Sequence, residues 1–387
     1  MIYLDNAAAS WPKPEVVYRT LGDFLRGTGA SPGRHVHRMG VEAARAVEET
    51  RQKLARLLGL EDAWRIVFTA NATDALNLAI KGVLSANDHA VTTVMEHNAV
   101  RRPLRALEAI GVAMTKVRAD GQGFVDPTAV RAALRPNTRL VVVTHASNVN
   151  GALQPVREVA EIVHEHGALL LVDGAQTVGA LPFTLADLDA DLLAFGGYRA
   201  LLGPPGTGAL VIGPRVDPSE LSPLREGETG VNSERDIQPA ELPHRYEAGM
   251  LNTVGLAALG AALDFLHEVG IDRIAAHLRV LTDRLIEGLG GIPGVRVLSP
   301  DDPNRRVAVV SFVVEGWDPV DFGDVLDRTF GIACRAGLHG APEACRALDA
   351  FPHGTVRFSP GFFTTEQEID QAVAAVRELA RTPLHLA

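Results

Sequence analysis

Between residues 65 and 215 the chain alternates short, β-branched apolar runs with longer stretches of helical spacing. The runs read RIVFTA, HAVTTVM, RLVVVTHA, ALLLVDGA, DLLAFGG and GALVIG, separated by segments rich in Ala, Leu and Glu. Near-continuous apolar strands joined by helices predict an α/β domain around a mostly parallel sheet covered on both faces. Loops that bind ligand are then expected beyond the carboxyl ends of the strands. From about residue 262, AALDFLHEVGIDRIAAHLRVLTDRLIEGLG predicts one long amphipathic helix, followed by the strand-like VAVVSFVVEG and GTVRFSP. This C-terminal part reads as a smaller α+β domain. Residues 215–255, rich in Pro, Gly and charge, predict an irregular surface segment.

Composition narrows the function classes. With 387 residues, 47% hydrophobic and 22% charged, the chain has the make-up of a soluble globular protein with one large and one small domain. A net charge of −10 lacks the basic face that nucleic acid or an anionic membrane would need, so neither partner is expected. The start, MIYLDNAAASWPKPE, has no basic segment followed by an apolar run, and no stretch approaches the roughly 20 apolar residues of a span. A cytoplasmic location is expected. Cys334 and Cys345 are the only cysteines, too few for a disulfide framework and without a neighbouring cluster for zinc, so no metal site is expected. Four of the 37 basic residues are lysines, Lys13, Lys53, Lys81 and Lys116. No primary side-chain amine exists beyond Lys116.

Several candidate groups fall just after predicted strands. FTANATDALNLAIKG brings Ala72 and Thr73 to a helix start, where N–H groups and a hydroxyl suit a phosphate, although Thr73 could equally cap the helix. LLLVDGAQTVG ends a buried strand at Asp173, where a carboxylate can pair with a protonated pyridine nitrogen or serve a turn. HASNVNG delivers Asn148, an amide able to reach a phenolic oxygen, and VMEHNAV delivers His97, an imidazole able to stack on a ring.

Order and spacing together resemble the class V aminotransferase superfamily, and within it the cysteine desulfurase and selenocysteine lyase group. The likeness runs through YLDNAAASWPKP, SPGRHVHR, FTANATDALNLAIKG, TTVMEHNAVRRPL, THASNVNGALQP, VDGAQTVGALP, LLGPPGTGAL, RYEAGMLNT, GIACRAGLHGAP and GTVRFSPGFFTTEQEID. It implies an α/β protein of the pyridoxal phosphate (PLP) fold type I: a large domain (21–255) with a mostly parallel sheet of the seven-stranded type, and a smaller C-terminal α+β domain (256–387). Residues 1–20 would form an arm of the small domain. It further implies a homodimer with PLP between the domains, phosphate at Ala72 and Thr73, and His97 stacked on the pyridine. Asp173 would face the ring nitrogen, Asn148 and Gln176 the phenolic oxygen. Arg357, with Asn148 and His35, would take an amino-acid-like substrate.

The pattern breaks at the reacting groups. Family members read S/T-G-H-K-x-x-x-G-P-x-G-x-G, with PLP on the lysine as a Schiff base; this chain reads Gly196-Gly197-Tyr198-Arg199. A guanidinium stays protonated and forms no ordinary imine, so Arg199 cannot replace that lysine. Any substitute must be Lys13, Lys53, Lys81 or Lys116, and Lys81 is expected to point away. Where the group carries G-L-H-C-A-P, this chain has Gly340 in place of the persulfide cysteine, and Cys334 and Cys345 read as packing residues. The phosphate cup also changes: Gly196 and Tyr198 replace a hydroxyl and a His, Met250 a Thr, and Glu228 adds negative charge. Tyr198 and Arg199 could donate to the phosphate instead.

These losses predict a desulfurase-like homologue without the standard reaction, with a binding, assembly or regulatory role and an unidentified protein partner. A second reading keeps a PLP enzyme that holds its coenzyme non-covalently and acts on an amino acid. A third reuses the pocket for another anionic ligand, with Arg199 and Arg357 as a two-point site.

Overall fold

A computed structural model describes residues 1–32 and 37–381. Its strands are β1 (Ile2–Tyr3), β2 (Ile66–Thr69), β3 (His89–Thr93), β4 (Ala113–Val117), β5 (Thr138–Thr144), β6 (Leu169–Asp173), β7 (Leu192–Gly196), β8 (Gly208–Ile212), β9 (Val295–Val297), β10 (Val310–Val314), β11 (Ile332–Ala333), β12 (Arg335–Gly337) and β13 (Thr355–Phe358). The large sheet has seven strands in the order β2-β8-β7-β6-β5-β3-β4. Only β8 runs against its neighbours; β4, β3, β5, β6 and β7 are parallel. The sheet is thus the mostly parallel one expected, and six of its strands coincide with the apolar runs. The seventh, β4, is a half-buried edge strand reading Ala-Met-Thr-Lys-Val, too polar to stand out in the sequence.

Helices close both faces because the strands are buried on both sides. The helix Ala72–Val83 packs on β7 and β8 on one face, while Thr253–Val269 lies against Glu15–Gly27 and Arg38–Leu58 on the other. Leu256, Leu259 and Leu266 on that helix are at most 2% exposed, and each such burial stabilises the fold by about 1.5–3 kcal/mol.

The C-terminal part builds an antiparallel sheet, β12-β13-β10-β9, and β11 pairs in parallel with β1. Leu4 joins Val310, Phe312, Phe322 and Phe358 in its core, so the chain's first residues are held by its last third. The long helix expected from residue 262 is two helices, Thr253–Val269 and Ile271–Gly290, bent by 80°. Gly270 makes the corner at φ +88°, a backbone conformation that side chains disfavour. No single helix among the described residues is long and apolar enough to cross a membrane. The segment expected to be irregular holds one short turn of 3₁₀ helix, Pro218–Glu220, before Thr253.

Candidate functional site

The parallel arrangement sends the carboxyl ends of β2, β3, β5, β6 and β7 to one edge, and the candidate residues follow those ends. At β6 the edge residue is Asp173, 5% exposed. Its Oδ1 accepts the Ala175 N–H at 3.0 Å, and no described cation pairs with it. Burial pushes its carboxyl above the usual range, while the Ala175 bond and the charge of Arg199 pull it back. Beside it, Glu96 is fully buried, its Oε1 accepting from Thr93 Oγ1 at 2.7 Å and from the Thr144 N–H at 3.0 Å. Burial pushes Glu96 up to about 8. Thr144 and Asp173 are register partners, so the two carboxyl groups are neighbours, and the charge of Asp173 adds to the upward push on Glu96.

His97 caps the helix Asn98–Leu107, its Nδ1 accepting the Ala99 N–H at 3.1 Å. Burial, then the guanidinium charges of Arg199, Arg335, Arg102 and Arg357, lower it to about 4. The ring is therefore neutral, with its proton on Nε2. A buried carboxylate lacking a cation and a neutral flat imidazole beside the same strand ends fit a protonated aromatic nitrogen and the ring that carries it.

Thr73 sits in the first turn of the helix Ala72–Val83, but the cap is Asn71, whose Oδ1 accepts the Asp74 N–H at 2.9 Å. Capping therefore does not explain Thr73, which is exposed. After β7 the Tyr198 ring folds back over Gly196: a Cβ built on Gly196 would lie 2.8 Å from Tyr198 Cε1. Gly196 and Tyr198 are thus one coupled change, the tyrosine ring filling the room that a hydroxyl side chain would need. Gly196→Ser alone is expected to lose about 1–3 kcal/mol through overpacking, and Tyr198→His added to it to recover most of that. Thermal melts of the single and double variants check this, and an undiminished single variant would break the coupling.

The substrate-side residues are largely committed to one another. Arg357, 2% exposed, donates Nη2 to Asp5 Oδ1 at 2.6 Å and Nη1 to the Asn148 carbonyl at 2.9 Å. Burial lowers it to about 10 despite the Asp5 charge. Asn148 gives its own Nδ2 to the His339 carbonyl at 2.8 Å, and Gln176 Nε2 donates to Ala7 O at 3.2 Å. Arg199 makes one long contact, Nη1 to Ala175 O at 3.4 Å, and its Nε is buried without a partner. His35 lies outside the described residues.

The loop at Gly340 is shaped for glycine. Its φ is +70°, and a Cβ there would lie 2.5 Å from His97 Nε2. Its carbonyl accepts the Asn98 N–H at 2.7 Å, so the loop rests directly on the His97 turn. Cys345 is buried with Sγ near the Leu338 carbonyl, and burial pushes it to about 11; Cys334 is pushed to about 12. Neither thiol is a nucleophile at neutral pH. Among the described residues no group of His, Cys, Asp or Glu is arranged to hold a metal ion.

Sequence reasoning left Asp5 without a role and offered Lys13 only as one of four possible amines, although both stand in YLDNAAASWPKP. The chain from Asp5 to Lys13 threads the site: Asp5 meets Arg357, Ala7 meets Gln176, and Ser10 Oγ donates to the Arg199 carbonyl at 2.8 Å. Only the folded chain shows this.

Comparison with known proteins gives a consistent answer. The family model described as aminotransferase class-V matches residues 2–372. A probable cysteine desulfurase of Methanothermobacter thermautotrophicus is 35% identical over 383 residues, covering 98% of this chain and 94% of the relative. One of Halalkalibacterium halodurans is 33% identical, with 96% and 91% covered. Among solved structures, the apo cysteine desulfurase of Thermococcus onnurineus superposes with a TM-score of 0.91 at 30% identity, covering 98% of this chain and 94% of that one.

Proposed function

The chain belongs to the aminotransferase class-V family, its cofactor by family is PLP, and we propose that it is a cysteine-desulfurase-like protein that does not perform standard desulfuration. Its role is then to bind a coenzyme or an amino-acid-like ligand, as a homodimer, in assembly or regulation. The observation that carries this is Gly340: a left-handed glycine whose Cβ position is already taken by His97 Nε2. A backbone and a neighbouring ring that fit glycine at 340 support an absent sulfur-transfer step.

A second reading, a PLP-dependent enzyme that holds its coenzyme non-covalently and acts on an amino acid, draws support from Asp173 and His97. When bound, PLP supplies an aldehyde carbon and an electron-withdrawing ring. Asp173 would hold the ring nitrogen protonated, His97 would present a neutral face, and Thr73 with the first N–H groups of its helix would take the phosphate. Arg199, with its uncommitted Nε, would add a positive charge near the same groups. The two-point anion site is the weaker reading, because Asp5 already neutralises Arg357.

Incubation with L-cysteine and PLP tests the first reading: no alanine and no protein persulfide are expected, and alanine release at the rate of a desulfurase would overturn it. Equilibrium dialysis tests the second. PLP is expected to be retained, and Asp173→Ala to weaken retention by about tenfold or more, the worth of one bond to a charged group.

A further inference from the structure

Strands β3 and β5 part before their ends. β3 stays paired with β4 out to its last residue, Thr93, and β5 with β6 out to Thr144, but the pairing of β3 with β5 stops at Val91 and Val141. The chain passes from β3 to β4 on one side of β3 and then lays β5 on the other. The gap between them is therefore the crevice at which a sheet of this kind takes its ligand. His97 follows the end of β3, and Asp173, the register partner of Thr144, stands on the strand beside β5.

Glu96 spans that gap. It is 0% exposed, and its Oε1 accepts from the Thr93 hydroxyl at the end of β3 and from the Thr144 N–H at the end of β5. Thr93 Oγ1 in turn accepts the Met95 N–H at 3.1 Å, so the turn 93–96 closes around this one carboxyl. Oε2 is buried and has no partner among the described residues. Glu96 is thus joined through the chain to His97 and through a hydrogen bond to the residue opposite Asp173. Where the ladder between the two strands has ended, this side chain is the tie between them.

We propose that Glu96 is a positioning residue: it sets the spacing between the His97 imidazole and the Asp173 carboxyl, so that one aromatic ring can meet both at once. The inference rests on the second reading above and gives Glu96 no contact with the ring.

The test is PLP retention by the full-length protein in equilibrium dialysis. Glu96→Ala is expected to weaken retention by about tenfold or more, the scale on which a small misplacement of binding groups acts. Glu96→Gln keeps an oxygen for both bonds. Because burial pushes the native carboxyl up to about 8, the amide also resembles it in charge near neutral pH, and retention within about twofold of the parent is expected. A double-mutant cycle separates positioning from general stability: with Asp173→Ala in place there is no spacing left to set, so adding Glu96→Ala is expected to cost less than about twofold more. Losses that multiply in the cycle, or a Gln variant no better than Ala, would overturn the proposal. If Glu96→Ala does not fold, Thr93→Val enters the same cycle. It removes the hydroxyl bond to Oε1 and keeps the side chain's shape, and a loss of about threefold is expected. PLP retained by the parent and equally by Glu96→Ala sinks the role of Glu96 alone, whereas PLP not retained by the parent sinks the reading beneath it as well.

Discussion

An Arg199→Lys variant, reduced with borohydride in the presence of PLP, is expected to carry the pyridoxyl group at residue 199. The reason is proximity. Position 199 follows the edge of β7, beside Ala175 and Gln176, and its side chain is half-buried without a strong partner. A neutral amine there would meet a bound aldehyde as an intramolecular neighbour, worth about a hundredfold or more in apparent retention. Sulfur transfer is not expected to return with it, because the thiol is still missing. Adding Gly340→Cys brings a second obstacle: φ is +70° and His97 Nε2 lies 2.5 Å from the new Cβ, with the ring pinned through Nδ1 to Ala99. The double variant is therefore expected to bind coenzyme covalently at 199 yet release alanine from cysteine far below a true desulfurase. Label at 199 is read by peptide mapping and alanine by amino-acid analysis. Full activity in the double variant would show that the loop at 340 yields easily and that the two substitutions account for the whole difference.

Local pattern carried the large sheet, because strands buried on both faces write themselves as apolar runs. It failed at β4, where an edge position tolerates Thr and Lys, and at Gly270, where one left-handed residue turns a continuous amphipathic pattern into two helices. The candidate groups Asp173, His97 and Asn148 were legible for a related reason, since each follows a strand whose end is visible in the text. Their partners were not. Arg357 and Asp5 are 352 residues apart in sequence, and Lys13 and Tyr198 are 185 apart. No periodicity or spacing encodes such pairs. Gly340 is instructive in another way: the sequence shows a missing cysteine, whereas the fold shows a backbone conformation and a neighbouring ring that fit glycine. Gly196 and Tyr198 teach the same lesson, two apparent losses that prove to be one packing solution.

The largest loss of stability is expected from Glu247→Ala. Glu247 and Arg51 form a buried two-pronged pair, Nη1 to Oε1 at 2.8 Å and Nη2 to Oε2 at 3.0 Å, with side chains 5% and 3% exposed. The same Oε1 accepts the Phe68 N–H at 2.6 Å, Arg51 also donates to the Ile66 carbonyl, and the guanidinium lies 4.4 Å from the Phe68 ring centroid. Removing the carboxylate leaves the buried cation with only the partly exposed Glu48, 3.5 Å from its Nε, as counter-charge and a buried strand N–H unpaired, a loss of about 3–5 kcal/mol. Replacing both partners with apolar residues, Arg51→Met with Glu247→Leu, is expected to recover most of it, because the desolvation cost of the charges disappears as well. Urea titrations of the three proteins check the order. The consequence reaches the site, since Phe68 lies three residues before Asn71, and Asn252, five residues after Glu247, donates Nδ2 to the Gly206 carbonyl at 2.9 Å. The pair thus clamps the strand that leads to Thr73 onto the segment that braces the loop after Arg199. Glu247→Ala should accordingly weaken PLP retention at urea concentrations where the far-ultraviolet circular dichroism is still native. Loss of coenzyme and of fold in a single step would show that the clamp serves stability alone.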